Sequence, residues 1–369
     1  MSKRINPVEV WFRETVGAPF AFQREAWGAQ LAGRSGLLHA PTGMGKTYSA
    51  WLPSLMRWCN AHADGSPATW REMATEPLRV LWVTPLRALA TDTEENLKKP
   101  VEALGLPWTV QRRTGDVSSA VKAKQNKRLP SALVTTPESL SVLLSYADAE
   151  RKFRGLQTVI VDEWHELMST KRGTQTELGL ARLRRWNQAS GGGLAVWGLS
   201  ATLGNLNEAM DALLGAEAVE GATRVDGPDH KEVEIVTLLP GDVDRFPWAG
   251  HLGITLLPEV IKALESAGST LLFTNTRSQA EIWFNEILAK RPDWIGQVAL
   301  HHGSINRDAR RAVEDLLRRG GLRCCVCTSS LDLGVDFSPV EQVIQVASPK
   351  GVARLMQRAG RSGHAPGKV

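Results

Sequence analysis

Short, continuous apolar runs recur along this chain, each broken by a polar or Gly-containing turn and followed by a helical stretch, and this pattern restricts the fold more than any other feature. The runs lie at 36–40, 79–83, 109–112, 132–135, 158–161 and 194–198 in the first half, and at 233–239, 270–273, 297–300, 323–327 and 342–346 in the second. Each has the length of a strand. The lack of polar alternation means that both faces are covered, as in a parallel sheet between two helical layers. Two parallel α/β sheets are therefore expected. At roughly 150 residues per domain, 369 residues suffice for two to three domains. Pro, Gly and Asp concentrate at 238–253, as in a linker or hinge, which places the boundary within 226–252. The resulting division is domain 1 at 1–228, a hinge at 229–252 and domain 2 at 253–369.

Helix signals support this spacing. Thr174-Gln175-Thr176-Glu177 fits a capping box, and Asn306 is placed to cap a helix that stops at Gly320-Gly321. Residues 61–77 lack periodicity and read as a surface excursion. The composition is that of a water-soluble globular protein, with 43% hydrophobic and 22% charged residues, and no run approaches the 18 apolar residues of a membrane span. The first residues carry two basic side chains but no apolar stretch of signal-peptide length, so an intracellular protein is expected. A net charge of +5 is compatible with a polyanionic partner and decides nothing alone. Cys59, Cys324, Cys325 and Cys327 suit no disulfide framework, and although His301 and His302 lie near the cysteine cluster in sequence, a buried structural role is the reading adopted. The 13 Trp are scattered without period and are expected to pack in or near the cores.

The chemistry is concentrated in two places. Ala40-Pro41-Thr42-Gly43-Met44-Gly45-Lys46-Thr47 follows an apolar run and precedes a helical pattern, the setting of a phosphate-binding loop. Gly43 and Gly45 allow backbone N–H groups to approach phosphate oxygens, Lys46 neutralises the β- and γ-phosphates, and Thr47 supplies a hydroxyl for Mg²⁺. The usual leading Gly is Ala40. Val159-Ile160-Val161-Asp162-Glu163-Trp164-His165 then places two carboxylates at the carboxyl end of an apolar strand, where ligands sit in open α/β sheets. Asp162 would reach Mg²⁺ and Glu163 would orient the attacking water.

With these residues the chain resembles the superfamily 2 DExH-box helicases along nearly its whole length. The resemblance implies two tandem RecA-like domains with an ATP cleft between them, the second incomplete at its C-terminus. It makes Gln23 the adenine-reading glutamine and adds Thr42 and Met44 to the ATP site. Pro85 and Arg87 of Thr84-Pro85-Leu86-Arg87, Thr114 and Gly115, and Thr136 and Pro137 resemble nucleic-acid contacts of the first domain. Thr274, Asn275 and Arg277, His302 and Gly303, and Thr328 resemble those of the second. His165 with Ser200-Ala201-Thr202 resembles the coupling elements. Residues 328–336 match a motif whose Gly334 and Asp336 would face the nucleotide. Gln357-Arg358-Ala359-Gly360-Arg361-Ser362-Gly363-His364 matches the motif that carries arginine fingers, with Arg361 favoured over Arg358; many members end it in Arg where this chain has His364.

A closer resemblance is to Lhr-type (large helicase-related) DNA helicases of the bacterial, ligase-associated branch, carried by residues 162–185 and 198–209. It implies an ATP- and Mg²⁺-dependent motor that tracks single-stranded DNA 3′ to 5′ from a 3′ tail in DNA repair. It further implies a monomer near the nucleoid, in the cytoplasm, with a repair ligase or nuclease as partner. Two readings stay open beside it: a remodeller of RNA or RNA–DNA hybrids, and a nucleic-acid-binding fragment without hydrolysis. Outside the motifs, Arg112, Arg113, Lys122, Lys124, Lys127, Arg128, Lys171 and Arg172 are candidates for a strand groove or a solvated face.

Overall fold

The computed structural model describes residues 5–168, 170–201, 205–228, 233–239, 253–332, 340–349 and 351–362. The chain divides into two compact units, Met1–Asp229 and His230–Val369. Among the described residues no helix is long and apolar enough to cross a membrane.

The first unit is built on seven strands: β1 (Gly36–His39), β2 (Val80–Val83), β3 (Val110–Arg113), β4 (Ala132–Thr135), β5 (Thr158–Val161), β6 (Ala195–Ser200) and β7 (Thr223–Asp226). They pair in the order β3-β4-β2-β5-β6-β1-β7, every pair parallel. Side chains alternate between two cores, as the two-residue period of a strand requires. Leu38, Val80, Trp82, Val134, Ile160 and Trp197 enter one, under helices that include Pro7–Thr15, Ala21–Leu31, Lys46–Ala61 and Arg87–Leu104. Leu37, Leu81, Val83, Leu133, Val159 and Val161 enter the other, with Leu180 and Leu183 of the helix Lys171–Ala189. The unit is thus a helix–sheet–helix sandwich. That arrangement explains why its central strands read as unbroken apolar runs.

The second unit repeats the plan with β8 (Thr270–Phe273), β9 (Val298–His301), β10 (Cys324–Cys327) and β11 (Gln342–Gln345), ordered β11-β8-β10-β9 and all parallel. The cysteines follow the strand period: Cys324 enters one core and Cys325 and Cys327 the other. All are buried free thiols, and burial pushes Cys324 up to about 12 and the other two well above the ordinary thiol range. Thiols held protonated in this way are packing groups, not nucleophiles. Asn306 caps the helix Arg307–Arg318, its side chain accepting from the Asp308 N–H at 2.9 Å.

The sequence reading needs three corrections. Residues 233–239 form no strand, because an apolar run without a neighbouring strand to pair with has nowhere to place its backbone hydrogen bonds. The run read instead as the hinge falls mainly on 229–232 and 240–252, outside the described residues. β7 went unread, since on this sheet edge only Val225 is buried and no apolar run marks the strand. The helix assigned to a box at Thr174 starts a turn earlier: Thr170 is its cap, accepting from the Gly173 N–H at 3.2 Å, and Thr174 lies within the helix.

Gly173 marks a tight junction. A Cβ there would stand 2.2 Å from the Leu167 carbonyl oxygen, so the long helix can approach the turn after β5 only with glycine at this position. Gly173→Ala is expected to cost about 1–3 kcal/mol of stability through backbone overpacking, read as a lowered denaturation midpoint.

Candidate functional site

The loop after β1 enters the helix Lys46–Ala61 through Gly45, whose φ of 77° lies in the left-handed region; Gly43 is there too, at 81°. Glycine adopts these angles without strain, and the resulting curl lets successive N–H groups face one concavity. Lys46 is buried, with its ammonium donating to the carbonyls of Ala40 at 2.7 Å and Pro41 at 3.0 Å. Gln23 braces the loop from the helix Ala21–Leu31. Its side-chain oxygen accepts from the Phe20 N–H at 2.9 Å and its amide donates to the Gly45 carbonyl at 3.3 Å. Thr42, Met44 and Thr47 lie in the same loop and first helical turn.

Asp162 and Glu163 stand at the carboxyl end of β5, both buried. Each Asp162 oxygen has one donor: the Glu163 N–H reaches Oδ1 at 3.0 Å, and the Trp82 indole N–H reaches Oδ2 at 3.2 Å. Burial, and then Glu163 beside it, push the Asp162 carboxyl up, while Lys46 and the two N–H donors pull it down. Glu163 itself has φ 47° and ψ 50°, a left-handed conformation rare for a residue with a side chain. Such strain persists only where the surroundings impose it, and it gathers at functional sites. Glu163 Oε2 is buried with no hydrogen bond among the described residues; His165 Nδ1 lies 3.5 Å away. The same His165 nitrogen is hydrogen-bonded to the Ser200 hydroxyl at 3.0 Å. The carboxylate pair, His165 and the end of β6 therefore form one connected group. Thr202 lies outside the described residues.

The donor set fits Mg²⁺, a hard cation that takes one or two carboxylates and completes its shell with water and phosphate oxygens. Asp162 offers a buried carboxylate oriented by two fixed donors, and Thr47 offers a hydroxyl in the loop helix.

The candidate nucleic-acid residues of this unit all follow neighbouring strands. Pro85 and Arg87 come after β2, Thr136 and Pro137 after β4, and Thr114 and Gly115 after β3. Arg87 is exposed and its guanidinium lies over Gly115, where a Cβ would come within 2.9 Å of it. Thr114 is fully buried and its hydroxyl donates to Asp116, so it shapes its loop from within. Arg112 and Arg113 are both engaged within the unit. Arg112 donates to Thr91 at 3.0 Å and pairs with Glu94 and Asp116, while Arg113 is buried and donates to the Lys122 carbonyl and the Tyr146 hydroxyl. Arg172 is paired with Glu138.

In the second unit, Thr274, Asn275 and Arg277 follow β8, His302 and Gly303 follow β9, and Thr328 follows β10, again on adjacent strands. Arg277 is exposed and its guanidinium approaches Gly303. Thr274 is buried, its hydroxyl donating to the Thr276 and Cys327 carbonyls, and Asn275 donates to the Ser348 carbonyl at 2.8 Å. His302 is buried, 3.2 Å from Glu281. Neither histidine joins the cysteines in a ligand set: His301 is hydrogen-bonded to Ser330 and Glu314.

Arg358 and Arg361 are distinguished by their partners. Arg358 is 1% exposed, donates to both Asp332 oxygens at 2.7 and 3.2 Å, reaches Gln345, and stacks on the Phe273 ring at 4.5 Å. Its guanidinium is engaged by Asp332, Gln345 and Phe273 within its own unit. Arg361 donates to the Asp332 main-chain carbonyl at 2.8 Å. Gln357 is buried, with its amide nitrogen unpartnered among the described residues. Gly334, Asp336, Gly363 and His364 lie outside the described residues. Sequence reading missed Asp332 and Trp82, although a carboxylate in the motif before Arg358 and an indole inside an apolar strand both demanded partners. Arg358→Ala would leave Asp332 a buried, partly uncompensated charge and is expected to cost about 3–5 kcal/mol, measured by calorimetric unfolding.

The profile of the DEAD/DEAH box helicase family matches residues 20–209, and that of the helicase conserved C-terminal domain matches residues 254–366. ATP-dependent helicase Lhr-Core protein 2 of Thermococcus barophilus is 36% identical over 374 residues, which takes in 97% of this chain and 42% of that protein. The Lhr helicase/uracil glycosylase of Escherichia coli is 31% identical over 97% of this chain and 26% of its own length. The structure of Mycobacterium smegmatis helicase Lhr bound to ssDNA and AMP-PNP aligns with a TM-score of 0.79 and 33% identity, covering 98% of this chain and 46% of that one. The chain therefore spans less than half the length of these relatives, and its two parallel-sheet units are the tandem RecA-like pair of such helicases. The chain belongs to the DEAD/DEAH box helicase family.

Proposed function

We propose that this chain is the motor core of an Lhr-type DNA helicase or translocase, coupling Mg²⁺-dependent ATP hydrolysis to 3′-to-5′ movement on single-stranded DNA in DNA repair. The observation that carries the reading is the buried Asp162–Glu163 pair: one carboxylate braced by fixed donors and the other strained into a left-handed turn, with an oxygen that accepts no hydrogen bond among the described residues. Structural ion pairs have no need of that strain.

Gly43 to Thr47 cradle the triphosphate with main-chain N–H groups and the Lys46 ammonium, and Gln23 holds the loop in place while reading the base. Mg²⁺, when bound, would supply charge neutralisation at the triphosphate. Asp162 and Thr47 would hold it, and the family resemblance assigns Gly334 and Asp336 to the same nucleotide. Glu163 accepts a proton from the attacking water through its unpartnered oxygen, in a dry site where orientation counts most. His165 ties that carboxylate to Ser200 and so to the end of β6, with Thr202 beyond, the route by which hydrolysis is felt at the strand-binding loops. Arg361 meets the charge that develops on the γ-phosphoryl group, and Gln357 lies on the helix that ends just before it. The loops at Pro85–Arg87, Thr114–Gly115 and Thr136–Pro137, and at Thr274–Arg277, His302–Gly303 and Thr328, grip phosphates of one strand. A repair ligase or nuclease is the partner this reading implies, and the Lhr relatives' use of ssDNA in a solved complex supports the choice of DNA.

The test is ATP hydrolysis by the chain alone, with single-stranded DNA and with single-stranded RNA. DNA is expected to stimulate turnover well beyond RNA. Equal stimulation would move the assignment to RNA or hybrid remodelling, and absent turnover would make the chain a binding fragment. Lys46→Ala is expected to abolish turnover, and Glu163→Gln to lower kcat by about 10²–10⁴-fold while nucleotide affinity holds. Strand affinity is also expected to fall steeply with salt, as counterion release requires of a phosphate-tracking groove.

A further inference from the structure

We infer that Trp82 is a positioning residue for the metal-binding carboxylate, fixing by its indole N–H the direction in which Asp162 presents its remaining lone pairs to Mg²⁺. The inference rests on the reading of Asp162 as a metal carboxylate and assigns the group that aims it.

Trp82 sits on β2 in register with Ile160 of β5, so its ring lies one strand over from the residue two positions before Asp162. Side chains two apart on a strand share a face, and Trp82 and Ile160 enter the same core. The ring is 0% exposed, so its N–H has no access to water and can be satisfied only by an acceptor within the protein. Three other fully buried indoles donate to main-chain carbonyls, Trp51 to Leu97, Trp164 to Ala209 and Trp197 to Arg34, while Trp58, near the surface of its core, donates to the Glu76 carboxylate. Trp82 instead donates to Asp162 Oδ2 at 3.2 Å, across 80 residues of sequence.

An ionised carboxylate has about four acceptor positions, two per oxygen. The Glu163 N–H takes one on Oδ1 and the Trp82 N–H takes one on Oδ2. With a donor on each oxygen the carboxylate plane cannot rotate without breaking a bond in a place where water cannot replace it. A packed indole is a better brace than a hydroxyl or amide, because its N–H direction is set by the ring and cannot swivel. Groups of this kind behind a metal ligand typically govern metal affinity more than they govern binding of the rest of the ligand.

The test is metal binding in the full chain. Trp82→Phe keeps an aromatic ring and removes the donor. Replacing Trp82 by 3-benzothienylalanine keeps the bicyclic shape and puts sulfur where the N–H stood, which separates the hydrogen bond from packing. Mn²⁺ affinity in the presence of ADP, read by electron paramagnetic resonance, is expected to fall about 10–100-fold in both variants. ADP affinity in EDTA, read by calorimetry, is expected to stay at the parent value. A benzothienyl protein with parental Mn²⁺ affinity would overturn the inference and leave Trp82 as packing alone, as would equal losses of Mn²⁺ and metal-free ADP binding. Asp162→Asn is measured alongside. If that variant holds Mn²⁺ as tightly as the parent, the assignment of Asp162 itself fails, whereas a loss there with none in the Trp82 variants overturns only the role of Trp82.

Discussion

Asp162 and Glu163 place two carboxylates side by side at the carboxyl end of a central strand with little access to water. Removing carboxylates from water is expensive unless fixed donors and charges replace it. Much of the first unit can be read as the answer to that cost. The Lys46 ammonium acts on Asp162 from the neighbouring loop, the Trp82 indole and the Glu163 N–H each take one oxygen, and His165 stands between Glu163 and Ser200. The left-handed backbone at Glu163 is tolerated because the short helix after it is pinned by Trp164, which is buried and bonded to the Ala209 carbonyl. Gly173 then lets the next helix close down on that turn. Strain at one residue is held by packing at several others.

The second unit meets the same difficulty in a different way. Asp332 is buried at the turn after β10, and it is neutralised by the two-pronged guanidinium of Arg358, which is itself held by Gln345 and the Phe273 ring. Arginine suits this place because its planar fork matches a carboxylate and its face stacks on an aromatic ring. The consequence concerns the neighbour three residues on. With Arg358 so held, the helix Val352–Ala359 is anchored, and Arg361 just past its end donates to the Asp332 main-chain carbonyl. Two arginines in one motif thereby meet the same turn differently, Arg358 through the Asp332 carboxylate and Arg361 through its main-chain carbonyl.

The strands of both sheets were legible because a parallel strand covered on both faces leaves a continuous apolar mark, as at 80–83, 132–135 and 158–161. The glycine-containing loop at 40–47 and the acidic pair at 162–163 were legible because their residues stand together in sequence directly after an apolar run. What escaped follows the same logic in reverse. β7 is an edge strand with one buried side chain and leaves no such mark. Residues 233–239 carry the mark without a strand to pair with. Thr170 and Thr174 are each an acceptable cap by type, and only the Thr170 hydroxyl meets the Gly173 N–H. The basic pair Arg112 and Arg113 reads as surface charge, yet the surrounding acids, hydroxyls and carbonyls absorb it.

By itself the amino-acid sequence determined the α/β class, the two sheets, the nucleotide loop, the acidic pair and the family to which the chain belongs, since each is written in residues close together along the chain. Only the tertiary structure decided which carboxylate oxygen meets Trp82, which arginine is spent on Asp332 and which residue bears the backbone strain. Those outcomes depend on directional bonds between groups 80 and 26 residues apart, and on a turn forced by its neighbours. Periodicity records which face a side chain takes, whereas hydrogen-bond direction is set only once the strands lie side by side.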